Sequence, residues 1–447
     1  MSKLSVHIET FGCQMNVADS ERVATKLRAD GFELSDAADA ADVILLNTCS
    51  IREKAEQKVF RRVGEIKRGR VGKQPLVGVM GCVAQLEGEA IFNSSPSVNL
   101  VAGTGAIDRL PSLLERVRGG ESRVIDLDVR EEATDFEISP TDRHSKHVAF
   151  VPIIEGCNKF CTYCIVPYSR GRERSRTASE IVEEVKRLSA QGFKEVQLIG
   201  QNVNSYRPRV ERGLEGFSGA TPFSRLLRAV ADTGMPRIKF TTSFPRDFHA
   251  DIVKAIEEHE NLCNWVHLPV QSGNNRILRA MRRGHKVEEY LERVAAVKNS
   301  HRQISLTSDI IVGFPGETED EFDDTLKLVE KCRFDGTYIF KYSKRRGTPA
   351  AKLMDDVSPE EKTRRFLALE TLQTSIQREI YRGYVGKVVE VLVEGISARS
   401  ASDLTGHTTC NKVVNFSAGA EFIGTVVNVR VTEAKAHSLF GQVLQKV

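Results

Sequence analysis

Three cysteines within eight residues, Cys157, Cys161 and Cys164 of GCNKFCTYC, constrain this chain more than any other stretch, because a fold must present them together on one short loop. A Cys-x3-Cys-x2-Cys array can hold three irons of a [4Fe–4S] cluster. The segment offers no fourth cysteine, so the fourth iron stays open to an outside ligand. Electron-carrier clusters are closed by four cysteines, so an open iron points to chemistry at that position. Two plainer readings compete: a disulfide staple, or a structural zinc with His144 or His147 as fourth ligand.

The chain has 447 residues, enough for two or three domains, and 40% of them are hydrophobic. A net charge of +4 permits a nucleic-acid partner without demanding one. No apolar run is long enough to span a bilayer. The first residues, MSKLSVHIETFGC, read as an alternating strand rather than a signal peptide. Nine cysteines without an export signal predict a reducing, cytoplasmic setting in which thiols serve metals or chemistry.

Residues 4 to about 110 alternate apolar runs with helical patterns. Strands are expected at 6–10, 42–47 and 76–80, each followed by a cysteine: Cys13, Cys49 and Cys82. Helices are expected at 18–30 and 52–68. This is the rhythm of a doubly wound parallel sheet, whose sites form beyond the carboxyl ends of the strands. The three cysteines should therefore converge on one edge, as a second incomplete cluster site. Cys263, Cys332 and Cys410 share no such pattern and read as packing residues.

From about 147 to 345 the alternation resumes, with strands expected at 149–154, 195–200, 238–242, 265–269, 304–312 and 336–342. A helix at 178–191 carries an apolar face of Ile181, Val182, Val185 and Leu188, with Thr177 and Glu180 as a capping box. Six strands fit an open (βα)6 barrel better than a closed eight-stranded one. The cysteine triplet follows the first strand, on the face where barrels place chemistry. Loops on that face carry Gly200, Gln201 and Asn202, then Ser243, then Gln271, then Gly313 and Glu317; their shared position marks them as candidate ligand contacts. Arg170, Arg172, Arg174 and Arg176 follow the triplet. They read equally as a solvated face or a polyanion contact, as do the basic residues between Arg52 and Lys73.

Ser358-Pro359-Glu360-Glu361 opens a helix to about Tyr381. Four alternating stretches follow: KVVEVLVEG, NKVVNF, EFIGTVVNVRVTEA and LFGQVLQKV. They suggest a small β-barrel. The fold class is thus α/β, with a doubly wound, flavodoxin-like domain at 1–120, a partial (βα)6 TIM-like barrel at 143–378 and a small β-barrel at 380–447.

Taken together these residues resemble the radical S-adenosylmethionine methylthiotransferases over nearly the whole chain. The tRNA branch is the nearest, through NTCSIREKAEQKVF (47–60), EGCNKFCTYCIVPYSRGRERSR (155–176), LIGQNVNSY (198–206) and FKYSKRRGTPA (340–350). The resemblance implies an auxiliary [4Fe–4S] cluster on Cys13, Cys49 and Cys82 and a radical [4Fe–4S] cluster on Cys157, Cys161 and Cys164. It implies a last domain like TRAM, an RNA-binding module. By this resemblance the radical cluster binds S-adenosylmethionine and cleaves it to a 5′-deoxyadenosyl radical. That radical takes hydrogen from C2 of N6-isopentenyl (dimethylallyl) adenosine next to the anticodon, and the auxiliary cluster delivers the methylthio sulfur. The implied partners are the tRNA anticodon stem-loop, a reductase or flavodoxin-type electron donor and iron–sulfur or sulfur supply proteins, with no membrane. Competing expectations are the same chemistry on a ribosomal-protein aspartate or on threonylcarbamoyl-adenosine, and a non-catalytic iron–sulfur RNA-binding sensor. Two departures stand out. Phe244 stands in TTSFPR where the family leads one to expect His, and TGHTTCNKVVNF (405–416) lacks the usual Arg, Glu and Asn.

Overall fold

The computed structural model describes residues 3–50, 53–69, 74–128 and 136–446. Ile51, Arg52 and the basic stretch at 70–73 lie outside the described residues.

The first sheet has six parallel strands: β1 (Ser5–Phe11), β2 (Glu33–Leu34), β3 (Val43–Thr48), β4 (Leu76–Gly81), β5 (Leu100–Ala102) and β6 (Val124–Asp126). Their spatial order is β2-β1-β3-β4-β5-β6. That is the flavodoxin-like order with one strand added at the edge. All six residues of β3 are buried, because helices cover both faces of the sheet. Val43 and Leu45 feed one apolar core and Ile44 and Leu46 the other, the alternation a strand imposes. Three strands were expected; β2, β5 and β6 are only two or three residues long and leave no periodic trace. The first helix, Gln14–Ala29, starts four residues earlier than the pattern indicated, with Cys13 itself as its N-cap.

The second region carries β7 (Val148–Pro152), a short antiparallel pair β8 (Ile154–Glu155) and β9 (Arg174–Ser175), then β10 (Glu195–Ile199), β11 (Arg237–Phe240), β12 (Trp265–His267), β13 (Ser305–Val312) and β14 (Gly336–Lys341). The six long strands form two parallel three-stranded sheets, β11-β10-β7 and β12-β13-β14. An Ile238–Leu262 bridge joins them into an open barrel. Ala149, Val151, Val196, Leu198, Ile238, Leu306 and Ile310 point outward into one core under the helices. The alternate residues, among them Glu195, Gln197, Arg237, Lys239, Thr307 and Asp309, turn inward and are polar. The Ala178–Ala190 helix has the expected capping box of Thr177 and Glu180.

Ser358 caps the Pro359–Arg382 helix by accepting the Glu361 amide at 3.2 Å. After it β15 (Val388–Ile396), β16 (Asp403–Thr408), β17 (Val413–Ser417), β18 (Val426–Ala434) and β19 (Leu439–Lys446) close into a five-stranded barrel. β16, DLTGHT, was not among the expected strands, because its glycine and polar residues read as a turn. The segment from His407 to Lys412 docks under the larger barrel, at the amino ends of its strands. His407 Nε2 lies 2.9 Å from Glu195, Arg237 donates to the His407 carbonyl at 3.1 Å, and Lys239 pairs with Asn411. Lys412 donates to Ser305 at 2.6 Å and to Asp335 at 2.7 Å. No helix among the described residues is long and apolar enough to cross a membrane.

Candidate functional site

β1, β3 and β4 are neighbours, and a cysteine follows each. Cys13 caps the first helix, Cys49 directly follows β3, and Cys82 opens the Cys82–Glu87 helix after β4. The structure thus brings the three together at one sheet edge, with Cys49 and Cys82 buried. Two glycines make the room. A Cβ on Gly12 would stand 2.4 Å from Asn16 Oδ1 and 2.9 Å from Cys49 Cβ. One on Gly81, whose φ is +90°, would meet Asn47 Oδ1 at 2.4 Å. Asn16 and Asn47 form the floor: Asn16 accepts from Cys13 Sγ at 3.2 Å and donates to Asn47 at 3.0 Å, and Asn47 donates back to the Asn16 carbonyl at 2.8 Å. A hydrogen bond with Cys49, against the cost of burial and with help from Arg170, pulls the Cys13 thiol down to about 6. A lowered thiol pKa favours the thiolate, the form that ligates a metal. Burial pushes Cys82 up, and Arg170 opposes it. Arg170 is buried, paired with Asp19 at 2.6 Å.

The second triplet lies in the loop after β7 and β8. Cys157 accepts from Asn202 Nδ2 at 3.0 Å, and Cys161 accepts from Arg283 Nη1 at 3.4 Å. Arg283 also reaches the Tyr163 hydroxyl at 3.4 Å and donates to the Pro269 carbonyl at 2.6 Å. Burial pushes Cys157 up to about 11 and Cys164 up to about 12. Thiols this far from ionising need a strong cation to become ligands, and a metal centre deprotonates them outright. Among the described residues no three His, Cys, Asp or Glu converge on a single ion. A cluster asks less, since its thiolates sit on different irons. The zinc reading also lacks its fourth ligand. His147 precedes β7, at the opposite end from the cysteines, with its ring against Gly424, and His144 is exposed. Nearby, Gln201 Oε1, Ser243 Oγ, Arg283 Nε and His285 Nε2 are buried without a hydrogen-bond partner among the described residues. Such orphaned donors and acceptors on the chemistry-bearing face fit a polar ligand.

Of the candidate contacts, Asn202 reaches the triplet, and Gln201 and Ser243 present the free polar atoms just named. Gly200 abuts Ile154, whose Cγ2 would stand 2.4 Å from an added Cβ. Gln271, at φ +81°, is held by backbone bonds with Asp309 and Ile311. Gly313 and Glu317 do not join the cysteines. The Glu317 carboxylate accepts from the Gly313 amide at 2.6 Å and from Arg365 at 3.0 Å, tying the loop after β13 to the Pro359–Arg382 helix. Phe244, in place of the expected His, lies 4.5 Å from the Arg283 guanidinium and edge-on to His285. Cys263, Cys332 and Cys410 are buried away from both triplets.

The arginine run is mostly not a polyanion surface. Arg170 is buried against Asp19, Arg176 is buried against Glu184 at 2.7 Å, and Arg174 pairs with Glu155 at 3.4 Å; Arg172 alone of the four is exposed. In the other basic stretch Arg62 is engaged by Glu9 at 2.6 Å. Sequence reading missed Asn16, Asn47, Arg283 and the buried role of Arg170, none of which carries a local signal.

The segment after Cys13 packs on the barrel. Gln14, next to Cys13, donates to Gln197 inside the barrel at 2.7 Å and accepts from Thr241 at 3.2 Å. Met15 and Ala18 pack on Ile199, and Arg22 reaches Glu155 at 3.3 Å. The segment that carries the second triplet ends six residues later in Arg170, beside the first.

Three family models match: the uncharacterized protein family UPF0004 over residues 5–103, the Radical SAM superfamily over 151–329 and the TRAM domain over 382–444. A protein of Koribacter versatilis named tRNA-2-methylthio-N(6)-dimethylallyladenosine synthase is 46% identical, over 98% of this chain and 98% of its own length. Proteins of the same name from Solibacter usitatus and Shewanella oneidensis are 45% and 44% identical; the match covers 99% and 100% of this chain and 98% and 93% of theirs. Among solved structures, the radical S-adenosylmethionine methyltransferase TsrM of Kitasatospora setae, with cobalamin and a [4Fe–4S] cluster bound, superposes with a TM-score of 0.57. It is 16% identical, and the match covers 78% of this chain and 74% of that one, a likeness of fold.

Proposed function

We infer that this chain, which belongs to the family of tRNA-2-methylthio-N(6)-dimethylallyladenosine synthases, adds a methylthio group to C2 of N6-isopentenyladenosine beside the anticodon of tRNA. It is a radical S-adenosylmethionine enzyme with two [4Fe–4S] clusters. The observation that carries the reading is the docking of the domain that bears one cysteine triplet onto the barrel that bears the other, through Gln14 on Gln197 and Arg170 on Asp19.

In this reading Cys157, Cys161 and Cys164 hold the radical cluster, and Cys13, Cys49 and Cys82 hold the auxiliary one. When bound, the two clusters and S-adenosylmethionine supply hydrogen abstraction from C2 and the incoming sulfur. The chain's own residues do the rest. Asn202 and Arg283 donate to two of the thiolates, which stabilises their charge. The free polar atoms of Gln201, Ser243 and His285 orient S-adenosylmethionine on the same face. Gln14 anchors the auxiliary triplet against the barrel, which sets the distance over which sulfur moves. The division of labour among 1–120, 143–378 and 380–447 belongs to this proposal, as do a reductase or flavodoxin-type electron donor, iron–sulfur or sulfur supply proteins and a cytoplasmic location.

Reconstitution without oxygen tests it. The parent should bind about eight irons, and replacement of either triplet by Ala should leave about four. The Cys13/Cys49/Cys82 variant should still cleave S-adenosylmethionine yet form no methylthio nucleoside in treated tRNA, read by mass spectrometry. Product from that variant, or full iron in either, would sink the assignment. A parent that leaves tRNA unmodified but methylthiolates a ribosomal protein would move the function to that substrate.

A further inference from the structure

Phe160 and Tyr168 are large aromatic residues left open to solvent beside the second triplet. Each is close to half exposed, at 45% and 46%, and their rings meet edge to face with centroids 6.3 Å apart. Phe160 lies between Cys157 and Cys161 with φ +48°. A bulky residue adopts that left-handed backbone only at a cost, and such a cost persists where surrounding structure and function demand it. The loop is pinned on both sides. The Cys157 amide donates to Gly171, the Thr162 amide to Met281 and the Ala350 amide to Thr162. These bonds bring two further segments against the cysteine loop. The helix Asn275–Ala280 and the residues just after it carry Arg279 and Arg282, and the loop after β14 carries Lys344 and Arg346; with Arg172 they are five exposed cations on the segments that flank the cysteine loop. None of the five forms an ion pair among the described residues, in contrast to Arg170, Arg174 and Arg176.

We propose that Phe160 and Tyr168 are a stacking platform for unpaired bases of the RNA loop that delivers its adenine to the cluster, and that Arg172, Arg279, Arg282, Lys344 and Arg346 hold the phosphates on either side. The inference rests on the proposed function and adds the positioning residues to it. The chemistry is specific to single-stranded nucleic acid. Every base has a face that stacks on an aromatic ring, and a flanking ring of unpaired cations follows the backbone. A nucleic-acid strand offers one phosphate per nucleotide, a regular row of anions for such cations. An adenine that must leave its stack to be modified also needs its neighbours held in place.

The test uses the reconstituted full chain and an anticodon stem-loop RNA with 2-aminopurine in the loop, titrated at several salt concentrations. Phe160→Ala and Tyr168→Ala should each lower affinity on the order of tenfold and relieve the quenching of 2-aminopurine that stacking causes. They should leave the slope of log affinity against log salt unchanged, while Phe160→Tyr and Tyr168→Phe keep both affinity and quenching. Arg282→Ala and Lys344→Ala should instead flatten that slope by about 0.7 each. Iron per chain is measured first, so that a variant that fails to fold is recognised, and the conservative pair then carries the comparison: loss of quenching in it would overturn the platform. Unchanged affinity and quenching in a folded Phe160→Ala/Tyr168→Ala double variant would overturn the inference and leave the tRNA function standing. A parent that does not bind the stem-loop would overturn both.

Discussion

At the scale of single residues, Arg170 shows how much a side chain's surroundings decide. In the sequence it belongs to an arginine run beside a cysteine motif. In the fold it is buried and carries its charge, despite the cost of burial, because Asp19 and the thiols of Cys82 and Cys13 face it. Its partner Asp19 is 151 residues away, so no local pattern could show the pair. Removing one partner of a buried pair strands the other charge. Arg170→Leu should therefore destabilise the protein by about 3–5 kcal/mol, measured by urea unfolding. It should also remove a positive neighbour that helps keep the Cys13 thiol low, so that iron bound per chain falls from about eight toward four. Unchanged stability together with unchanged iron would show that Arg170 supports neither the domain contact nor the first triplet. The cysteines themselves were legible. Each follows a strand, and a parallel sheet gathers strand ends whatever their separation in sequence.

At the scale of elements, the turn between β16 and β17 has a role that its departure from the family pattern did not reveal. Residues 405–416 lack the expected Arg, Glu and Asn, and the segment docks on the barrel floor through His407, Asn411 and Lys412. His407 lies between Glu195 at 2.9 Å and Glu394 at 3.0 Å, with Arg237 and Lys239 in the same cluster. Burial works against its charge, yet Glu195 and Glu394 raise its pKa above the ordinary histidine value. A group whose native pKa is raised contributes stability that is full below its unfolded pKa, about 6.5, and that is lost as pH rises through the native value. The contact should thus weaken on the alkaline side. Thermal unfolding followed from about pH 6 upward should show the parent losing stability through that window and His407→Gln losing less. Parallel curves would remove His407 as the titrating contact. Strands of five or more residues were largely readable here and in the other regions. The short β2, β5 and β6 and the polar β16 were not, because two or three residues hold no period and β16 gives only Leu404 to the apolar core, its other buried side chains being polar.

At the scale of the whole molecule, the three regions are one interlocked body rather than beads on a chain. Truncation before Tyr381 removes the TRAM-like barrel and the RNA contacts expected of it. The fold adds a second consequence. Truncation strips Asp335 of Lys412 and Glu195 of His407, opening a buried charge cluster on the barrel floor. The truncated chain should lose tRNA affinity and also about 3–5 kcal/mol of stability, so that S-adenosylmethionine cleavage survives only below a lowered melting temperature. Equal melting of the truncated and full chains would show that the floor does not depend on the last barrel. The α/β class, the six barrel strands and the strand-end positions of the six cysteines could all be read from the local pattern. Those follow from local periodicity and from the handedness of parallel connections, and both act over a few tens of residues. Only the folded chain shows which arginines are paired with carboxylates and which stand open to solvent. The tertiary structure alone decided that Gln14 and Arg170 dock the first domain on the barrel, and that His407 and Lys412 close the barrel floor. Lys412 with Asp335, Arg170 with Asp19, Gln14 with Gln197 and His407 with Glu195 join residues 77 to 212 apart, and Gln14 with Thr241 joins residues 227 apart. Burial and charge select such partners only once the chain has collapsed, and they leave no mark in the local pattern that a sequence displays.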